Sequence, residues 1–328
     1  MLTLAAQTPA PAPGVAHPIA LTEVVAPGDP LAVQDLTFDA TFAQQALAYL
    51  QTENPAILAE LTQSPAAEHL LRHARNFDYD VPKESASALV NSLLVPASQH
   101  RDRAAACQQA VNYFEGPMAQ HPQWVNETLR YLPHGFRFHG ALYLTYGYDI
   151  GVAFGNTASL NCAHKHFEDH PSELIYYAIH ELHHVGFNSY QPPPRLADLK
   201  TCADLLRLVK YSTQMEGMAV WAAYRLRSEQ HALADDADYV ALSDPTRIQQ
   251  LEASYWREFH YLEKRATQPA DAEAWAVIDR MSGGERLWYR VGAHMAQTIE
   301  RQVGLPALVE LVKKGPESFL ETYTKIAK

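Results

Sequence analysis

The run His180-Glu181-Leu182-His183-His184 sets two imidazoles four positions apart and places a carboxylate directly after the first. On a helix, residues i and i+4 share one face about a turn apart, so both imidazoles can converge on one metal ion. The residue after the first histidine then sits beside that ion. Zinc lowers the pKa of a water it binds to about 7. Glu181 is placed to take that water's proton and later to protonate a leaving amine. The chemistry this spacing allows is hydrolysis by a zinc-activated water, with one zinc per chain and Glu181 as general base.

Catalytic zinc usually takes three protein ligands and keeps a position open. After His184 the chain reads Val185-Gly186-Phe187-Asn188, so no third histidine follows at the extended spacing. The best third ligand is Glu216, with Gly217 beside it permitting close backbone approach. Thr213-x-x-Glu216 also fits a capping box, in which Glu216 would bind only its own helix start. The ligand reading is preferred because His180 and His184 need a partner. A donor to the developing oxyanion is also required. Tyr289 and His294, on the helix after Gly284, are the candidates; core packing is the other reading of each. His183 points differently from the ligands and reads as support or packing. His164, His166 and His170 read as a solvated polar loop.

The helix Ile179–Val185, followed by Met215-Glu216-Gly217-Met218-Ala219, resembles the glutamate-liganded zinc peptidases called gluzincins. It also looks like zinc-dependent peptidases known mostly as sequence families. The likeness extends to Tyr131-Leu132-Pro133 and Tyr289-Arg290-Val291-Gly292. The resemblance implies hydrolysis of a peptide or protein substrate, with zinc on His180, His184 and Glu216. It also implies that the strand before the active helix, here Thr157–Asn161, receives substrate as an added antiparallel strand; an ordinary sheet strand is the alternative. The Arg286-x-x-Tyr289 spacing is similar to a pair in clostridial neurotoxin light chains.

The elements that must position these residues are mainly helical. Residues 1–35 are rich in Pro and Ala and read as an extended arm. Residues 36–135 read as an N-terminal helical region, opened by Asp39 as a cap and followed by helices near 55–63, 66–76, 85–95, 99–115 and 119–131. Residues 136–328 read as the zincin-like catalytic region with C-terminal helices. Its only β region comprises Phe136–Tyr148, Ile150–Phe154 and Thr157–Cys162, with Gly155-Asn156 as a turn. The active helix starts at Pro171-Ser172-Glu173 and is expected to stop at Gly186. Separate helices are expected near 195–210 and 213–230, then five more, near 244–266, 270–281, 284–303, 305–313 and 316–326. The fold class is therefore mainly α with one small antiparallel or mixed β-sheet, an α+β arrangement.

Composition narrows the function. A formal net charge of -11 argues against nucleic acid as a partner. No apolar run reaches the length of a transmembrane span. The three cysteines, Cys107, Cys162 and Cys202, show no C-x-x-C spacing and read as thiols. No Lys or Arg precedes Arg72. The chain as given therefore reads as cytoplasmic, whereas a processed or truncated leader at the apolar Met1–Ala6 would make it exported. Two other functions stay open. One is a zincin-shaped binding protein without turnover, against which the intact Glu181 argues. The other is a di-iron carboxylate protein built on Glu181-x-x-His184, which would need a second such pair that the chain lacks.

Overall fold

The computed structural model describes residues 19–21, 35–97, 104–168 and 170–327. Helices dominate, and the one small sheet is mixed, as the sequence predicts. Its strands are β1 (Ile19–Leu21), β2 (Asp35–Asp39), β3 (His139–Thr145), β4 (Gly151–Phe154) and β5 (Thr157–Asn161), in the order β1-β2-β3-β5-β4. β2 and β5 run parallel to β3, while β1 and β4 lie antiparallel at the edges. β2 escapes sequence reading because it is short and runs straight into a helix start. Its Leu36 and Phe38 alternate into the core, each almost fully buried.

β4 and β5 form a hairpin through Gly155-Asn156, with Gly155 at φ +63, as a tight turn requires. β5 is thus paired on both sides, to β3 and to β4. Its backbone groups are already used, which overturns the reading of Thr157–Asn161 as the strand that receives substrate. The edge strand beside it is β4.

The N-terminal helices are α1 (Thr41–Thr52), α2 (Pro55–Leu61), α3 (Pro65–Asn76), α4 (Ala86–Ala97), α5 (Ala104–Tyr113) and α6 (Val125–Arg130). Asn54 and Ser64 cap α2 and α3, each followed by Pro at the first helical position. Asp39 accepts the Thr41 N–H at 2.8 Å, although Ala40 is the capping residue of α1. The helix expected over 119–131 shrinks to a single 3-10 turn and α6. Residues 99–103 of the helix expected over 99–115 lie outside the described residues. Cys107 of α5 is joined to Cys162, just after β5, in a disulfide. This corrects the reading of three thiols: the partners are 55 residues apart, and only the tertiary fold brings them together. Cys202 remains a free, buried thiol.

Then come α7 (Glu173–Asn188), α8 (Cys202–Glu229), α9 (Ala237–Ser243), α10 (Pro245–Lys264), α11 (Ala272–Ser282), α12 (Leu287–Val303), α13 (Leu305–Lys314) and α14 (Pro316–Ile326). α7 does not stop at Gly186. That glycine lies inside the helix, where Leu132 packs so closely that a Cβ would meet its Cδ1 at 2.2 Å. α8 is one helix of 28 residues where the sequence suggests two. Its capping box is Thr201 with Asp204. Thr213 sits mid-helix, its hydroxyl turned back to the Val209 carbonyl at 2.7 Å and against Tyr255. α7 packs on β4 and β5 with one side and on α8 with another; α12 covers α8. One hydrophobic core runs from Leu36 to Tyr323, and each fully buried Leu or Phe in it contributes roughly 1.5–3 kcal/mol. No described helix is long and apolar enough to cross a membrane.

Candidate metal centre and cleft

His180 and His184 leave α7 on one face, and their Nε2 atoms approach to 2.9 Å. Glu216, in the middle of α8, brings Oε2 to 3.1 Å from His180 Nε2 and 3.0 Å from His184 Nε2. Because Thr201 and Asp204 cap that helix, Glu216 is free of any capping duty. Three ligand atoms therefore form a nearly equilateral triangle. Zinc with ligands at about 2.0–2.1 Å in tetrahedral geometry needs edges of roughly 3.3 Å. The triangle is only slightly tighter, and the two-imidazole, one-carboxylate donor set suits zinc. These residues fit the ion.

Electrostatics inside the triangle are tightly linked. Burial alone would raise Glu216, but His184 and His180 outweigh it and hold the carboxyl well below the usual range. Burial alone would lower His184, yet the Glu216 carboxylate keeps it raised. His180 stays lowered by burial and by His184. Beside them Glu181 is almost fully buried. Burial pushes it up to about 8, with Glu216 and Asp149 adding to the rise and His184 opposing it. A bound cation would pull all these groups toward their deprotonated forms.

Glu181 is held against the sheet through a residue that motif reading missed. A Cβ on Gly151 of β4 would stand 2.8 Å from Glu181 Oε1, so glycine lets the strand lie there without displacing the carboxylate. The turn entering β4 carries Gly147 at φ +80 and Tyr148 at φ +78, a costly conformation for tyrosine. α3 and the loop that follows it hold it. The Tyr148 hydroxyl meets His73 Nδ1 at 2.9 Å, and its ring stacks on Tyr79 at 5.0 Å. Tyr79 donates to Asp149 at 2.5 Å. His73, Phe77 and Tyr79 thus wall one side of a cavity of about 320 Å³ that opens onto the triangle.

The opposite side is set by α12. Its Gly292 meets Gly217 of α8 backbone to backbone. Tyr289, one turn before Gly292, lays its ring nearly parallel to that of His180 at 6.4 Å. Burial, the nearby Glu216 and Glu181 keep its hydroxyl protonated far above neutrality. The Arg286 guanidinium lies 3.6 Å over the Tyr289 ring, with Nε 3.0 Å from Asp238. His294 is not brought to the cleft. It is five residues beyond Tyr289, about 140° around the helix, and packs near the Tyr323 ring at 6.3 Å. His183 is fully buried against Phe187 and is pushed down to about 3 by burial and by His184.

A second group of ligand-type residues, His166, Glu173 and Asp236, adjoins the cleft, which Asp236 lines. It is an ion-pair network. Arg227, almost fully buried, donates to both Glu173 oxygens and stands 3.6 Å from Asp236. The Tyr176 and Tyr239 rings flank it at 4.2 and 4.5 Å. A guanidinium at the centre already supplies the positive charge these carboxylates need.

Two histidines one helical turn apart, met by a carboxylate from the next long helix, define a candidate mononuclear metal site. The fold around it is mainly α with one small mixed sheet. Residues 49–328 match the model of the family described as "putative zinc dependent peptidase (DUF5700)", and the chain belongs to that family. No curated protein and no solved structure matches the chain.

Proposed function

We propose that the chain is a gluzincin-type zinc peptidase that holds one zinc on His180, His184 and Glu216. The observation that carries the reading is the convergence of those three ligand atoms beside a buried Glu181 at the floor of an open cleft. When bound, zinc would polarise the scissile carbonyl and lower the pKa of the attacking water. Glu181 takes the water's proton and passes it to the leaving amine. The Tyr289 O–H donates a hydrogen bond to the oxyanion that develops on the carbonyl; its protonated state suits that task.

The substrate backbone is received by β4. In an antiparallel ladder, alternate residues turn their backbone groups outward. Asn161 N–H bonds the Ile150 carbonyl. That phase leaves Gly151 and Ala153 facing the open edge, where an extended peptide can pair with them. The substrate class is therefore an extended peptide segment.

The deciding experiment is Glu181→Gln. Zinc content should stay at one per chain while turnover of a peptide pool falls by about 10²–10⁴. Equal turnover by the variant and the wild type would sink the reading.

A further inference from the structure

At the α12 end of the cleft, two arginines share one carboxylate. Arg286 Nε and Arg290 Nε both donate to Asp238. Arg290 also reaches Glu285 at 3.3 Å. Arg227, the other arginine lining the cleft, spends both terminal nitrogens on Glu173, the Ala232 carbonyl and, at 3.6 Å, Asp236. Arg286 differs. Only its Nε is used, and among the described residues its two terminal nitrogens make no hydrogen bond. Its side chain is 40% exposed where it lines the cavity.

The backbone shows what this placement costs. Arg286 sits at φ 49, ψ 51, the left-handed region, as the residue that opens α12. Glycine or asparagine would adopt that conformation more cheaply. From there the guanidinium is held at two points, anchored by Nε to Asp238 and with its central carbon 3.6 Å from the Tyr289 ring centroid. A guanidinium held in this way offers its remaining edge as a planar fork, which matches a carboxylate with two parallel hydrogen bonds. Tyr289 is in turn stacked on His180. The guanidinium carbon therefore lies within about 10 Å of the His180 ring, no more than the span of about three extended residues.

We infer that Arg286 is a substrate-recognition residue that binds a carboxylate next to the scissile bond, either the free C-terminus of the peptide or an acidic side chain. The inference rests on the peptidase reading for its biological meaning, but the binding can be measured without turnover.

The probes are three N-acetylated tetrapeptides: one with a free C-terminus, its C-terminal amide, and an amide carrying Glu in place of Gln. Each is titrated calorimetrically into zinc-loaded Glu181→Gln protein. A carboxylate-bearing probe should bind roughly tenfold more tightly than its neutral counterpart. The free-acid arm identifies a C-terminal carboxylate and the Glu arm an acidic side chain. Adding Arg286→Gln should erase the advantage, and Arg286→Lys should retain only part of it. Equal affinity of acid and neutral probes overturns the inference. So does a preference that survives Arg286→Gln, since the carboxylate is then held by the metal. If Arg286→Gln does not fold, protection of Arg286 from phenylglyoxal decides: the acid probe should shield it and the amide should not. A wild-type enzyme that cleaves no peptide while showing the binding preference would overturn the peptidase reading alone.

Discussion

Gly217 of α8 and Gly292 of α12 touch through their backbones. A Cβ on Gly217 would stand 2.2 Å from the Gly292 carbonyl carbon, and one on Gly292 would stand 2.2 Å from the Thr213 carbonyl oxygen. Glu216 precedes the first glycine and Tyr289 lies one turn before the second. A single helix crossing therefore sets the distance between the proposed third ligand and the proposed hydroxyl donor.

Gly217→Ala or Gly292→Ala should force the two helices apart, because each new methyl meets backbone and not a movable side chain. The expected cost is about 1–3 kcal/mol of stability, measured by urea denaturation. Turnover should fall further than stability alone explains, since Tyr289 moves with α12. A stable Gly292→Ala protein with wild-type turnover would show that the crossing does not set the site.

Glu216→Gln keeps the shape of the side chain and removes its charge. In the wild type, free zinc at a hundred times its Kd should add about 2.7 kcal/mol to stability. The variant should gain clearly less at the same zinc concentration, because one of three ligands is weakened. Thermal melts with and without chelator read the difference. If both proteins respond equally to zinc, Glu216 is not a ligand.

Much of this was legible in sequence because it is local. The spacing of His180 and His184 is a property of one helix, and Pro171-Ser172-Glu173 announces where that helix begins. Glu216 stands out in the sequence only through the need of its histidine partners, and the sequence suggests a different setting for it. Tyr211-Ser212-Thr213 looks like a helix break with a new cap, whereas the Thr213 hydroxyl folds back onto Val209 and the helix continues. The features that stayed hidden are long-range. Gly151 gains its meaning only from Glu181 packed against it. The Tyr148 turn is held by His73 and Tyr79 from another part of the chain. β2 exists as a strand because β3 lies beside it. Nothing in the spacing of Cys107 and Cys162 signals their pairing.

That disulfide supplies a further prediction. It closes a loop of 55 residues, for which chain entropy gives about 4 kcal/mol and native disulfides typically 2–5 kcal/mol. Both sulfurs are buried, so reductant should act only slowly on the folded protein. Alkylation after unfolding without reductant should label one cysteine, Cys202, and after reduction all three. Mass spectrometry reads the labels, and melting with and without reductant reads the stability. Three labels without reductant would remove the bond from the account.

Acid should destabilise the fold through His69 and His73 of α3. Burial pushes both down to about 3, with the neighbouring His73 and Arg72 adding to the effect at His69. Both are therefore neutral in the folded chain, while the unfolded chain takes up protons below about 6.5. The unfolded state then binds more protons, so stability rises with pH in that window. It is complete above 6.5 and erodes as pH falls toward 3. Each histidine should cost roughly 1.4 kcal/mol per pH unit within the window. Urea denaturation at pH 7.5 and 5.0, with chelator present to remove any metal contribution, measures the loss. His69→Gln can keep its ties to Ser159 and Thr157 but cannot be protonated in this range. It should flatten the pH dependence by about half of the two-histidine share. An unchanged slope in that variant would mean that His69 is not the group that acid attacks.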